Sequence, residues 1–365
     1  MKLKIDELED LARGAAFLGT GGGGNPYLGR LMLERVMKEG FEVEIIGVDE
    51  VPDDALVIPT AGMGAPTVTV EKLLVPEEYL LALQRLEDFL GRKAFATMPI
   101  EAGGTNSIVP LIVGAMRGIP VVDADGMGRA FPELQMVTFS VYGIKAAPMS
   151  LADVHGNSVI LEAEDNATAE WLARGNCIRM GGHASVGIYP MSGAEVKKCS
   201  IPRTLTIARE IGRTIREARA ARTDVVEALC QYLRNNDTYG DARVIFEGKI
   251  ADLRRETTRG FAIGQARIEG SGAFSGDLEV TFQNEHLIAR AGGRVVAMVP
   301  DLICILDLET SEPITTESLR YGQRVTVLGV GAPPIMRTPE ALGVFGPKCF
   351  GLDDTYVPFD SCPTP

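Results

Sequence analysis

The chain has 365 residues, 45% hydrophobic and 23% charged, with a formal net charge of −13. Its length suits two domains of ordinary size, about 100–200 residues each, and no apolar run approaches the ~18–20 residues of a bilayer span. The acidity disfavours nucleic-acid backbones and anionic membranes as partners.

The first residues, Met1 to Glu7, lack the apolar core of a signal peptide, so a cytoplasmic location is expected. Ile5, Leu8, Ala12, Ala15 and Ala16 recur at helical spacing over 5–17, with acids on the other face. A glycine run follows, and Pro26 opens a second helix with Leu28, Met32 and Val36 on one stripe. Residues 42–48 and 55–59 are short, apolar and β-branched, which predicts strands. An amphipathic helix with an acidic first turn is expected over 76–90, strands over 93–99 and 119–125, and a helix over 107–118. Strands alternating with helices define a layered α/β domain with parallel pairs, expected over 1–170. The remainder, 171–365, is expected to be helical over 192–235. There Ile207, Ile211, Ile215 and Ala218 share one face, and Arg209, Arg213 and Arg216 lie on a solvated one. From 240 to 332, short β-like runs split by Gly, Asp and Asn turns predict a β-barrel or sandwich.

"GTGGGG", Gly19 to Gly24, matches the dinucleotide fingerprint G-x-G-x-x-G. That fingerprint requires a strand before it, and residues 5–17 read as a helix. No Lys-Ser/Thr follows the glycines, so a P-loop is also unsupported. What remains is helix, glycine loop, helix, in which backbone N–H groups near 26–38 can face an anion such as a carboxylate. Thr20, Gly21, Gly22, Gly23, Gly24 and Asn25 are therefore candidate substrate-binding residues.

Three further stretches share this texture at strand ends: "PTAGMGAPTV" (59–68), "MPIEAGGTNS" (98–107) and "DADGMGRAFPE" (123–133). Loops after the carboxyl ends of strands converge on one crevice in an α/β sheet. They add Gly62, Met63, Gly64, Gly103, Gly104, Asn106 and Arg129 as candidate binding residues, and Glu101, Asp123, Asp125 and Glu133 as candidate catalytic acids. In an extended chain Asp123 and Asp125 point the same way. Such a pair splits its pKa values into a base and an acid, or holds a divalent cation, or else closes a local Asp-Gly turn.

Six scattered cysteines, without a C-x-x-C pair, read as buried reduced thiols. His155 falls in a turn between strands, and His183, beside two glycines, is placed to reach a ligand. A metal site built from His155, His183 and His286 would need three distant segments to converge. No Gly-x-Ser-x-Gly elbow is present, so a serine-hydrolase triad has no support.

Together, "ARGAAFLGTGGGGNPYLGR", "PTAGMGAPTV", "PIEAGGTNS" and "VVDADGMGRAFPELQM" make the chain resemble, over nearly its whole length, the family named for S-methyl-thiohydantoin desulfurase, often encoded beside hydantoinases. The resemblance implies an N-terminal α/β domain, a C-terminal domain with a β-barrel-like part, and hydrolytic removal of sulfur from a hydantoin-type ring. The chemistry of the candidate acids then gives a mechanism. Asp123 or Glu101 activates water, Asp125 or Glu133 protonates the departing thiol, and glycine-loop N–H groups with Arg129 hold the ring. Metal-activated water on Asp123 and Asp125 is the variant. No cofactor is expected beyond such a divalent ion, and a homo-oligomer is expected, with a hydantoinase as a candidate partner. The alternatives are an accessory, hydantoin-binding subunit and, further off, a dinucleotide-dependent oxidoreductase.

Overall fold

The fold was analysed on a computed structural model that describes residues 1–64, 68, 74–258 and 261–363. Of the second glycine-rich stretch, Ala65, Pro66 and Thr67 lie outside the described residues.

No strand precedes the glycine run. Residues Ile5–Glu7 form a 3-10 turn that leads into α1 (Leu8–Leu18), and Lys2 makes one isolated antiparallel bridge to Glu44. Helix α2 (Pro26–Lys38) starts at Asn25, whose side chain accepts the Tyr27 N–H at 2.9 Å. The chain then alternates: β1 (Ile45–Ile46), β2 (Leu56–Gly64), α3 (Pro76–Leu90), β3 (Ala96–Met98), α4 (Val109–Arg117) and β4 (Val121–Val122). Strand β1 is shorter than the expected run because only Ile45 and Ile46 find a partner, in β4.

The apolar stretch 119–125 forms two strands, β4 and β5 (Ala124–Asp125), because the chain breaks at Asp123. A short helix α5 (Thr138–Val141) and the strands β6 (Met149–Ala152) and β7 (Ser158–Leu161) follow. Helix α6 (Asn166–Arg179), β8 (His183–Gly187), β9 (Met191–Ser192), α7 (Gly193–Cys199) and β10 (Ile201–Pro202) complete this half. The sheet runs β1-β4-β3-β2-β8-β6-β7, with β9 also on β2; β1 to β4 are parallel and the pairs beyond β2 are antiparallel. Strand β2 thus sits where parallel and antiparallel parts meet, and its carboxyl end opens into the site.

Helices α8 (Thr204–Ala221) and α9 (Val225–Arg234) precede a seven-stranded antiparallel sheet. Its strands are β11 (Ala242–Thr258), β12 (Phe261–Gly270), β13 (Asp277–Gln283), β14 (Glu285–Ala291), β15 (Arg294–Met298), β16 (Leu302–Asp307) and β17 (Arg324–Val330). In the order β15-β14-β13-β12-β11-β17-β16 it curls into a half-barrel, closer to the expected barrel than to a sandwich. One face encloses its own core around Phe246, Ile268, Val280 and Val327, while Leu287, Leu302 and Leu328 join the core of the α/β half. The last α-helix, α10 (Pro339–Phe345), lies near the C-terminus.

Helices α1 and α8 cross with almost no side chain between them. A Cβ on Gly14 would overlap the Ala208 carbonyl, and one on Gly212 the Asp10 carbonyl. The arginine stripe of α8 is ion-paired, as a solvated face should be: Arg216 holds Asp10 at 2.9 Å and Arg209 holds Glu7 at 3.0 Å. Among the described residues no helix is long and apolar enough to cross a membrane.

The crossing makes Gly212 intolerant of even one methyl group. Gly212→Ala is expected to lower unfolding free energy by about 1–3 kcal/mol, because the helices must move apart, as read by denaturant melts. An unchanged midpoint would mean that the crossing yields without cost.

Candidate functional site

A pocket of about 810 Å³, open solvent included, lies where the carboxyl ends of β2 and β3 meet the turn between β13 and β14. Gly23, Gly24 and Asn25 line it from the glycine loop, Gly62, Met63 and Gly64 from β2, and Glu101 and Asn106 from the loop after β3. Glu133 and His183 also face it. Apolar side chains, among them Leu28, Met127, Phe131 and Leu134, form the rest of the wall.

Glu101 is buried, and its carboxyl accepts the Asn106 side-chain N–H at 2.5 Å and the Phe131 backbone N–H at 3.2 Å. Asn106 is itself pinned, accepting from Gly62 N at 2.7 Å and donating to Gly62 O at 3.1 Å. Burial pushes the Glu101 carboxyl up to about 8 against those two hydrogen bonds, and the charge of Asp125 adds to the push. Glu285, at the start of β14, lines the pocket from the half-barrel. Burial again raises it, well above the usual carboxylate range, and the negative charge of Glu101 raises it further. Its Oε2 has no hydrogen-bond partner among the described residues. Two buried carboxyls from opposite halves of the chain therefore face one cavity, and the charge of Glu101 disfavours the ionisation of Glu285.

Under the pair lies Arg129, which has no exposed surface. It donates to the Ala130, Asp301 and His286 carbonyls at 3.1, 2.8 and 2.8 Å. Burial pulls its pKa down, while the charge of Glu285 holds it up. The expected ligand-binding arginine is thus an internal one. Its donors are spent on backbone carbonyls, and its charge acts on Glu101 and Glu285 from below. The pocket's cation is Arg174, on α6, which donates to Glu170 at 2.7 Å and to the Pro132 carbonyl at 3.0 Å and lies 4.7 Å over the Phe261 ring. Glu133 sits beside it, raised by burial and accepting from Gln135.

The aspartates are placed elsewhere. The break at Asp123 turns its side chain to the start of α8, where it accepts from Leu205 N at 2.9 Å, Thr206 N at 3.1 Å and the Thr206 hydroxyl at 2.5 Å. Asp125 folds back onto its own turn and accepts from Met127 and Gly128 at 3.1 and 2.8 Å. Burial pushes it up to about 7. They do not share a site, because the extended geometry that would aim them together is interrupted between them. The described residues contain no group of three or more His, Cys, Asp or Glu that could hold a metal ion.

Half of the candidate glycines, Gly21, Gly22, Gly103 and Gly104, lie behind the pocket lining, and close packing also involves Gly23. A Cβ on Gly22 would overlap the Glu285 carboxyl, one on Gly23 would lie 2.5 Å from Gly103 O, and one on Gly104 would overlap Gly23. Gly21 faces Thr316 and the fully buried His286, whose Nδ1 pairs with Ile303 O at 2.8 Å. Burial, helped by the charge of Arg129, pushes His286 down to about 4, so it is neutral. Thr20, Gly21, Gly22, Gly103 and Gly104 are therefore packing residues, and Gly23, Gly24 and Asn25 form the pocket wall. His155 lies in the expected turn between β6 and β7, apart from the pocket.

Residues that sequence reasoning passed over are Glu285, Asn284, Tyr79 and Arg174. Glu285 had a usable signal: an Asn-Glu-His turn between two apolar strands, with Asn284 at φ 58°. Tyr79 and Arg174 lie inside helices and carried none.

The architecture and the buried carboxyl pair define a two-part α/β and half-barrel protein with a ligand pocket between the parts. The chain belongs to the S-Me-THD-like family: its N-terminal domain matches residues 6–163 and its C-terminal domain residues 164–359. The crystal structure of a protein from Chromobacterium violaceum is similar, at 27% identity and a TM-score of 0.81, covering 99% of this chain and 100% of that one. No curated protein matches the chain.

The cap formed by Asp123 predicts a split between stability and rate. Asp123→Ala should lower stability by about 1–2 kcal/mol, the usual cost of losing a helix cap, and Asp123→Asn by less. Turnover per folded molecule should be unchanged in both. A loss of rate without a loss of stability would return Asp123 to the chemistry.

Proposed function

We propose that this chain is a hydrolase that removes the methylthio group from an S-methyl-thiohydantoin ring, with Glu101 and Glu285 as its acid–base pair. The observation that carries the reading is the meeting of two buried carboxyls from opposite halves of the chain in one pocket, both raised by burial and Glu285 further by the charge of Glu101. Membership of the S-Me-THD-like family supplies the ring.

Glu101, whose direction Asn106 fixes, is assigned as the base, and Glu285, whose Oε2 has no hydrogen-bond partner among the described residues, as the proton donor. The Glu101 carboxylate takes a proton from water as the water oxygen bonds to ring carbon C2, and the C2=N electrons move onto the ring nitrogen. Glu101 passes that proton to the nitrogen. The C2–S bond then breaks, Glu285 protonates the sulfur, and the C2 hydroxyl proton resets Glu285. The products are methanethiol and a hydantoin, and one water is consumed. Asn106, tied to Gly62 on one side and Glu101 on the other, fixes the direction of the base.

Activity should rise with pH through about 8, where Glu101 ionises, and fall again once Glu285 loses its proton. Glu101→Gln and Glu285→Gln are each expected to lower kcat by about 100-fold or more at unchanged fold. The assay is thiol release from a panel of S-methyl-thiohydantoins, run with and without chelator. Acid–base chemistry requires indifference to the chelator, whereas metal-activated water would show loss of rate. Hydantoin binding with no thiol released from any ring would overturn the hydrolase reading in favour of an accessory, ligand-binding role.

A further inference from the structure

Across Gly62 from the Asn106–Glu101 pair stands a second polar group that the chemistry above leaves unused. Tyr79 belongs to the first turn of α3 and is 1% exposed, yet it lines the pocket. Its hydroxyl has one hydrogen-bond partner among the described residues, His183 Nε2, at 3.5 Å. That is the outer limit of a hydrogen bond, and a buried tyrosine hydroxyl ordinarily finds a better partner. The rings meet edge to face, with centroids 6.1 Å apart, and Glu78 approaches the same imidazole nitrogen at 3.8 Å. The convergence depends on Gly62: a Cβ there would lie 2.9 Å from His183 Cε1 and 3.5 Å from both the Tyr79 hydroxyl and Asn106 Oδ1. A side chain at 62 would fill the space between Tyr79 and Asn106. Glycine lets His183, Tyr79 and Asn106 close around one backbone position at the pocket wall.

We propose that Tyr79 is a catalytic residue of this site, its hydroxyl donating to the substrate's ring carbonyl oxygen while the carboxyl pair works at C2. The inference rests on the hydrolase reading for its reaction and on the geometry around Gly62 for its residue. Attack at C2 drives an electron pair onto the adjacent ring nitrogen, which is conjugated with the ring carbonyl, so negative charge develops on that oxygen. A fixed donor there stabilises the transition state more than the ground state. Burial, reinforced by the charge of Glu78, raises the Tyr79 hydroxyl above its ordinary value, so it remains a donor at every pH at which the carboxyl pair is active. His183, pressed between Tyr79 and Gly62, is a positioning residue that sets the direction of the phenol.

The test compares the wild-type chain with Tyr79→Phe and with a variant carrying a ring-fluorinated tyrosine at 79. Loss of one such donor typically costs about 100- to 1,000-fold in kcat. Tyr79→Phe should therefore lower kcat on that order with little change in KM and with the alkaline rise through pH 8 unmoved, because Glu101 keeps its surroundings. The fluorinated phenol, a stronger donor of nearly the same size, should retain or raise kcat. Rates of Tyr79→Phe within threefold of wild type would overturn the proposal. So would a fluorinated variant as slow as the phenylalanine one, which would make the ring's packing the cause. Calorimetric titration with the parent hydantoin, which carries the same carbonyl, reads the contact without turnover. Weaker binding by Tyr79→Phe supports the contact even if no thiohydantoin is hydrolysed, and unchanged binding in that case overturns it.

Discussion

Everything about the site follows from one constraint: a loop with a single side chain, that of Thr20, is held between two other backbones. The loop from Gly19 to Gly24 leaves α1 with Thr20, Gly21, Gly23 and Gly24 all at positive φ. Its one face rests on the Gly103–Gly104 loop, with Gly23 O accepting from Thr105 N at 2.8 Å. Its other face is fixed to the half-barrel, where Gly21 O accepts from both Thr316 N and its hydroxyl at 2.7 Å and Thr20 O accepts from His286 N at 2.8 Å. Contacts this close are available only to residues without Cβ, and the unusual run of glycines is the result. The loop therefore acts as a spacer that sets the distance between Glu101, beside one neighbour, and Glu285, beside the other.

That spacing governs the electrostatics. Glu101 and Glu285 would repel if both were charged, and both are buried. Arg129, buried beneath with its donors already committed to carbonyls, supplies one fixed positive charge without neutralising either carboxyl through a direct hydrogen bond. Burial holds both carboxyls above the usual carboxylate range. A positive charge at a distance eases the ionisation of both carboxyls without tying up either of them.

Much of the fold was legible because it rests on local patterns. The helix over 76–90, the absence of a strand before the glycines and the half-barrel's short runs were all set by apolar period and turn chemistry. The loops after β2 and β3 lie together because the two strands end side by side, whereas Asp123, Asp125 and Arg129 of the fourth stretch turn away from the pocket. Legibility failed where one residue's role depended on a distant partner. Asp123 and Asp125 look like a pair in sequence, and only the arrival of α8, some eighty residues on, gives Asp123 a cap to make. Arg129 looks exposed beside glycines, yet the half-barrel closes over it and turns it inward. Glu285 comes from the other half of the chain, and no spacing in the sequence ties it to Glu101.

The same dependence explains why the glycine motif imitates a dinucleotide fingerprint. Both structures need a backbone to approach something closely at the end of one element and the start of a helix. In a dinucleotide fold the close partner is a pyrophosphate, and the amides are left open to receive it. Here the partner is protein: Gly22 sits against a carboxyl and Gly23 against a carbonyl, so the loop's inner face is already occupied. Pro26 has no N–H, and that of Tyr27 is taken by Asn25. The two kinds of loop share a sequence because they share a steric need. What separates them is whether the space the glycines create is filled by the fold or left to a ligand, and in this chain the fold fills it.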